Sequence, residues 1–194
     1  SDKILIDLPE AFSFEEILLY LSRSSIEVLH YLKDKKIYKL LEVEGQLVLI
    51  EVSIANKYIL QIRFIDQKPQ SKQCLQQIID YVREWLDLDT ELSAFYEITK
   101  KDPILLDLIK RYYGLRIVGI PDLFEAICWA VIGQQINLTF AYQLKRRFVE
   151  HFGRFYEWNG RKFWLFPSSD QFDDNSIPLL RDLQFTSKKA EYIV

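Results

Sequence analysis

The segment 37–64 has the pattern that most restricts the fold of this chain. Apolar residues recur there at every second position, in three successive runs. Turn residues separate the runs, at Glu44-Gly45 and at Ala55-Asn56. Successive side chains of a strand point to opposite faces of a sheet, and short turns join antiparallel neighbours. The sequence therefore predicts an antiparallel meander with one buried face.

Helical patterns lie on both sides of this meander. Ser13 is followed three residues later by Glu16, which is a capping box and predicts a helix from Phe14 to about Ser22. After Pro69, apolar residues recur at helical spacing along one face. The second helix is therefore expected to cover the buried face of the sheet.

The character of the sequence changes near residue 88. Residues 1–88 are predicted to form an N-terminal α+β domain, and residues 89–194 a mainly helical domain. In the second domain Asn159-Gly160 separates two aromatic runs, which predicts a small β-hairpin. The predicted helices of this domain span residues 90–99, 104–113, 122–132, 138–152 and 186–191.

Composition narrows the class of protein. The chain has 194 residues, of which 49% are hydrophobic and 27% charged, as in globular proteins. The net charge of −3 argues against a broad basic face for nucleic acid. No apolar run is long enough to span a membrane, and no signal-peptide pattern is present, so a cytoplasmic protein is expected. Cys74 and Cys128 lie in apolar helical patterns and are predicted to be buried, reduced thiols.

The stretch from Gly133 to Asn137 joins a helix that is apolar all round to an amphipathic helix. The first of these helices is expected to be the buried centre of its domain. In one interpretation of the stretch, glycine ends the first helix, the amides of Gln134 and Gln135 satisfy loose carbonyls, and Asn137 caps the second. A helix-turn-helix reader is disfavoured because the second helix begins with Leu, Thr, Phe and Ala. In a third interpretation, neutral amides enter an opened base pair without the desolvation cost of a charge.

Two basic clusters have two interpretations each. Lys145-Arg146-Arg147 and Lys188-Lys189 are either solvated faces or contacts to phosphates. The two histidines have no metal-like spacing to each other or to the cysteines. Neither a metal nor a cofactor is therefore expected.

Residues 119–153, GIPDLFEAICWAVIGQQINLTFAYQLKRRFVEHFG, resemble the central helices of the 3-methyladenine DNA glycosylases II. These alkylation-repair enzymes belong to the helix-hairpin-helix superfamily. The D-x-F-E start, the apolar helix, the G-Q-Q-I-N corner and the closing F-G all correspond. The resemblance implies an α+β fold, with a TATA-binding-protein-like antiparallel sheet at the N-terminus. An all-α glycosylase domain containing a small β-hairpin follows it, truncated before the helix-hairpin-helix.

The resemblance also implies a function in base-excision repair. Such a glycosylase flips an alkylated purine out of double-stranded DNA and hydrolyses its N-glycosidic bond. By correspondence Gln135, where some relatives have leucine, fills the gap left in the stack, and Gln134 braces the corner. Asn137, Lys188 and Lys189 are the further predicted DNA contacts.

The same resemblance places the phosphate-binding hairpin and the catalytic aspartate beyond Val194. No catalytic residue is therefore expected within these 194 residues, and the chain alone is expected to be inactive. A monomer in the bacterial cytoplasm, at the nucleoid, is expected to bind alkylated DNA and no membrane. Two alternatives stay open. One is an oxidised-guanine DNA glycosylase, which needs a lysine in the hairpin, and the other is a non-catalytic DNA-damage-binding module.

Overall fold

The computed structural model describes residues 3–66 and 68–194. The sheet half, residues 3–88, and the helical half, residues 89–194, are described in turn. The strands are β1 (Lys3–Asp7), β2 (Tyr31–Lys33), β3 (Lys36–Val43), β4 (Gln46–Asn56), β5 (Ile59–Phe64), β6 (Phe155–Trp158) and β7 (Arg161–Trp164). The α-helices are α1 (Phe14–Leu21), α2 (Lys72–Trp85), α3 (Ser93–Thr99), α4 (Pro103–Arg111), α5 (Leu123–Gly133), α6 (Leu138–Phe152), α7 (Ser176–Asp182) and α8 (Ser187–Ile193).

Five strands form an antiparallel sheet in the order β1-β5-β4-β3-β2. Glu44 and Gly45 both have left-handed backbones, with φ of 48° and 76°, so they reverse the chain tightly between β3 and β4. The predicted meander is confirmed. The second turn lies at Lys57-Tyr58, two residues beyond its predicted place, because β4 continues to Asn56.

The first core lies between one face of the sheet and the helices α1 and α2. The Ser13 hydroxyl accepts the N–H of Glu16 and so begins α1 where the capping box predicts it. On α2 the apolar face is buried against the sheet, as its spacing predicts. The fully buried side chains of this core are Ile17, Ile37, Ile50, Val52, Leu60, Ile62, Ile78, Val82 and Leu86.

The opposite face of the sheet is also covered, and the prediction of a single buried face is wrong. Tyr38, Leu40 and Leu49 point to this second face and are buried with Phe163 of the hairpin β6–β7. The rings of Tyr38 and Trp158 stack with their centroids 6.1 Å apart. Alternation along a strand shows which residues share a face, but it does not show which distant element packs there.

The second core lies among α5, α6, α7 and α8. The predicted helices of this half are confirmed, with α3 beginning at Ser93 rather than at residue 90. The hairpin turn is also where Asn159-Gly160 predicts it, with φ of 49° and 72°. Helix α7 is present in addition and has no counterpart among the predicted helices. The central buried side chains are Cys128, Ile132, Leu144, Phe148, Val149, Leu180 and Ala190.

Helix α5 is not buried on all sides, contrary to expectation. Cys128 and Ile132 lie in the core, whereas the Leu123 side chain is 73% exposed and that of Ile127 is 48% exposed. The apolar sequence of α5 therefore has one side in the core and one side on the surface.

In the part of the chain that the structure describes, no helix is both long and apolar enough to cross a membrane. Over the same residues, no three acidic, histidine or cysteine side chains are grouped to hold a metal ion. Cys74 and Cys128 are buried and unbridged, which confirms the prediction for both thiols.

Candidate nucleic-acid interface

The corner, residues 133–137, joins the end of α5 to the start of α6. The Gln134 backbone is extended and its N–H donates to the Val131 carbonyl over 3.3 Å. The Gln135 backbone is left-handed, with φ of 56°. Only a few per cent of non-glycine residues have a positive φ, so the corner has a restricted conformation at the residue predicted to enter DNA.

Both predicted glutamines lie on the surface. Gln134 and Gln135 are exposed, and neither side-chain amide hydrogen-bonds another of the described residues. The first interpretation of the corner requires these amides to hydrogen-bond the carbonyls at the end of α5. They do not, so that part of the interpretation is wrong. Two neutral donor–acceptor groups are available at the surface instead.

Asn137 caps α6, as predicted. Its Oδ1 accepts the N–H of Phe140 over 2.8 Å, so one side of its amide is already occupied. The N–H groups of Leu138 and Thr139 have no partner within the helix, and the N-terminus of α6 has a partial positive charge. The corner thus places polar groups and a weak positive potential side by side.

Lys189 lies beneath the corner rather than on the surface. Its side chain is buried, and its Nζ donates to the Ile132 carbonyl at the end of α5 over 2.7 Å. Burial lowers the pKa of this ammonium. The prediction that Lys189 contacts DNA is therefore corrected, because an ammonium that caps α5 from inside does not face a phosphate. Lys188, its neighbour, is exposed and stays a predicted phosphate contact.

The other basic cluster is not a solvated face throughout. Arg146 pairs with Glu150 on the surface of α6 over 2.9 Å, and Arg147 bonds Gln184. Lys145, on the side of α6 that faces the sheet half, is buried and pairs with Glu27 over 3.0 Å. Both interpretations of this cluster therefore fail for Lys145.

The seam between the two halves consists of Arg23, Glu27, His30, Lys39, Tyr142 and Lys145. The Lys145 ammonium lies 4.8 Å from the ring centre of Trp129 and 5.9 Å from that of Tyr142. Glu27 also accepts the backbone N–H groups of Val28 and Leu29, each over 2.8 Å.

In the seam, neighbouring charges and hydrogen bonds offset the cost of burying ionised groups. Burial alone would raise the pKa of Glu27, but Lys145, His30 and the Leu29 N–H outweigh it and lower that pKa to about 2. Burial lowers the pKa of His30 to about 4, despite the nearby Glu27 carboxylate and the Leu21 carbonyl. The Nε2 of His30 lies 2.8 Å from that carbonyl. The sequence gives no sign of this network, because its hydrogen-bonded partners lie as far as 118 and 119 residues apart.

A cleft of about 570 Å³ lies between the sheet edge, α2 and the start of α5, away from the corner. Its lining includes Glu42, Asp80, Glu84, Asp122 and Glu125. Burial raises the pKa of Glu125. Such a surface repels phosphates, so the corner and not this cleft is the candidate DNA contact.

Comparison with known proteins assigns the chain to a family. A family model described as "8-oxoguanine DNA glycosylase, N-terminal domain" matches residues 11–127. The chain belongs to this family. The predicted membership in the helix-hairpin-helix DNA glycosylases is thereby confirmed.

One curated relative resembles the whole chain. "DNA-3-methyladenine glycosylase" of Bacillus subtilis (strain 168) is 43% identical over 195 residues, which cover 100% of this chain and 64% of that protein. The chain therefore spans less than two thirds of the length of this relative.

Solved structures confirm the predicted fold class. The 3-methyladenine DNA-glycosylase from Archaeoglobus fulgidus superposes with a TM-score of 0.83 at 23% identity, over 98% of this chain and 65% of that one. The Clostridium acetobutylicum 8-oxoguanine glycosylase/lyase, in complex with double-stranded DNA, superposes with a TM-score of 0.67 at 15% identity, over 100% of this chain and 60% of that one. At these identities the similarity concerns the fold alone.

Proposed function

We propose that the protein containing this chain is a base-excision repair DNA glycosylase for alkylated purines of the 3-methyladenine type. The observation that carries this proposal is the 43% identity, over the whole chain, to a curated DNA-3-methyladenine glycosylase. The proposed partner is double-stranded DNA with alkylated bases, bound by a monomer at the nucleoid. The expectation of a catalytic aspartate beyond Val194 stays a prediction.

In this proposal Gln135 is the residue that enters the duplex. Flipping a nucleotide leaves a gap beside an unpaired base, and flipping costs least for a damaged, weakly stacked base. The Gln135 amide is exposed, uncharged and unbonded, so it enters the gap without the desolvation cost of a charge. It also offers a donor and an acceptor to the unpaired base. The N-terminus of α6 and Lys188 are the proposed phosphate contacts.

A specific observation favours a second candidate. The description of the family model that matches residues 11–127 names an oxidised guanine and not an alkylated purine. An N-terminal domain shared between enzymes for different lesions would account for this description. The 43% relative matches the chain over its full length, and we therefore give the alkylated-purine function precedence.

A base-release assay tests the proposal. The full-length protein is incubated with duplexes that contain 3-methyladenine or 8-oxoguanine, and the released bases are separated and quantified. We expect release of 3-methyladenine only. Release of 8-oxoguanine alone would establish the second candidate, and tight binding without release would indicate a non-catalytic damage binder. The 194-residue chain, assayed in parallel, tests the prediction that it is inactive alone.

A further inference from the structure

The partner of Lys189 is unusual for a buried ammonium. Its Nζ is hydrogen-bonded to one backbone carbonyl, that of Ile132, over 2.7 Å. No carboxylate within 4.0 Å pairs with it among the described residues. A buried cation with a single neutral acceptor is costly, and the lowered pKa of Lys189 reflects this.

The carbonyl that Lys189 contacts lies at the C-terminal end of α5. Ile132 is in the last turn of α5, where carbonyls lack helical partners and the helix has a partial negative charge. The ammonium satisfies one of these carbonyls and faces the favourable end of the helix dipole. Lys189 therefore fixes the end of α5 from within the core, three residues before Gln135.

The corner has few other restraints. Gly133 has no side chain, and a Cβ built there would meet no atom within 4 Å. The amides of Gln134 and Gln135 hydrogen-bond no other described residue. What remains is the packing of Ile136 against the second core, the Gln134 N–H bond to Val131, the Asn137 cap and the Lys189 contact.

We infer that Lys189 is a positioning residue for the corner, which holds α5 so that the left-handed Gln135 projects its amide outward. This role is the bracing function expected of Gln134, supplied by a different residue. The inference rests on the proposed function for what Gln135 does in DNA. The support of the corner by Lys189 can be tested without DNA.

The first test compares Lys189→Met with Lys188→Met and Lys189→Arg in the full-length protein without DNA. Methionine keeps most of the apolar stem and removes the charge, and Lys188→Met removes the same charge from the neighbouring exposed position. Amide hydrogen exchange is measured by NMR at Gly133 and Gln134, the last residue of α5 and its C-cap. In Lys189→Met we expect exchange about tenfold faster at the corner, because a charge-assisted hydrogen bond is lost there. Lys188→Met should leave exchange at the corner unchanged, and Lys189→Arg should restore most of the protection.

The second test uses the full-length protein and a duplex with an abasic-site analogue. We expect Lys189→Met to weaken binding about tenfold while the slope of log K against log salt stays the same, because no phosphate contact is lost. A 2-aminopurine opposite the abasic site should show a smaller rise in fluorescence on binding, since the wedge enters less often. Lys188→Met should lower the salt slope by about one if it contacts a phosphate.

Three results would overturn the inference. Unchanged exchange at the corner in Lys189→Met would exclude the support. A salt slope lower by about one in Lys189→Met would indicate a direct phosphate contact. If amide exchange is accelerated to the same extent throughout the helical half, in both Lys189→Met and Lys189→Arg, then Lys189 contributes to core stability in general and not to the corner. If Gln135→Ala does not affect binding, the proposed wedge function fails, but the exchange experiment still decides the role of Lys189.

Discussion

The seam and the corner each contain a buried lysine, and the two ammonium groups have different partners. Lys145 in the seam has a carboxylate, Glu27, and two aromatic rings. Lys189 at the corner has one backbone carbonyl. The seam therefore joins the two halves of the molecule through compensated charges. At the corner, the Lys189 hydrogen bond holds the end of α5, and the side-chain amides of Gln134 and Gln135 have no partner among the described residues. The comparison leads us to expect stability effects at the seam and DNA-binding effects at the corner.

The largest effect on stability is expected for Lys145→Met. Removing the ammonium leaves the Glu27 carboxylate buried and unpaired, which typically costs about 3–5 kcal/mol. Urea denaturation of the variant and the wild type measures this difference. The double variant Glu27→Gln/Lys145→Met should recover part of the loss, because a glutamine oxygen still accepts the N–H groups of Val28 and Leu29. A loss below about 1 kcal/mol, the range of surface pairs, would show that the seam behaves as a solvated ion pair.

The seam should also make stability depend on pH. The folded-state pKa of His30 is about 4 against an ordinary value of 6.5, so the unfolded chain binds more protons between these values. Stability is therefore lost as the pH falls from 6.5 to 4, by about 3 kcal/mol. The folded-state pKa of Glu27, about 2, adds a further loss as the pH falls below 4.5. In His30→Gln the loss between pH 6.5 and 4 should be much smaller. Parallel stability curves for the two proteins would contradict this assignment.

The smallest effect on stability is expected at the corner itself, for Gln135→Ala. The side chain is exposed and unbonded, so we expect a change within about 0.5 kcal/mol. Binding of the full-length variant to abasic-site DNA should nevertheless fall about tenfold, because the gap in the stack stays empty. Thermal melting and fluorescence anisotropy measure the two quantities. Asn159→Ala, at another exposed left-handed turn, is the matched control and should not change binding. Unaltered DNA binding by Gln135→Ala would refute the wedge role.

Much of the architecture is predictable because its signals are local. The period-two run of 37–64 predicts the meander, and the caps Ser13, Asp122, Asn137 and Thr186 mark helix starts that the structure confirms. These signals come from the backbone geometry of the residues that show them. Strand β2 has no such signal because it has only three residues. Helix α7 has none because its N-cap, Asn175, makes no side-chain capping hydrogen bond.

The site is less predictable, because its residues are defined by distant partners. Lys188 and Lys189 are adjacent and chemically identical in the sequence, yet one is exposed and the other donates to the carbonyl of Ile132, 57 residues earlier. The position of Lys189 after the Thr186 cap gives its helical phase, but not the element that it faces. Resemblance to the family identifies the corner. Only the three-dimensional structure shows which lysine supports it.

The hairpin β6–β7, which covers the second face of the sheet, has a consequence for the order of events during synthesis. Leu40 and Leu49 emerge from the ribosome more than a hundred residues before Phe163, the side chain that buries them. Until then the nascent sheet presents an uncovered apolar surface, of the kind that promotes aggregation and recruits chaperones. Contacts at this separation also slow folding, since a long loop must close before they form. Folding of the sheet half should therefore reach completion only after the helical half has been largely translated.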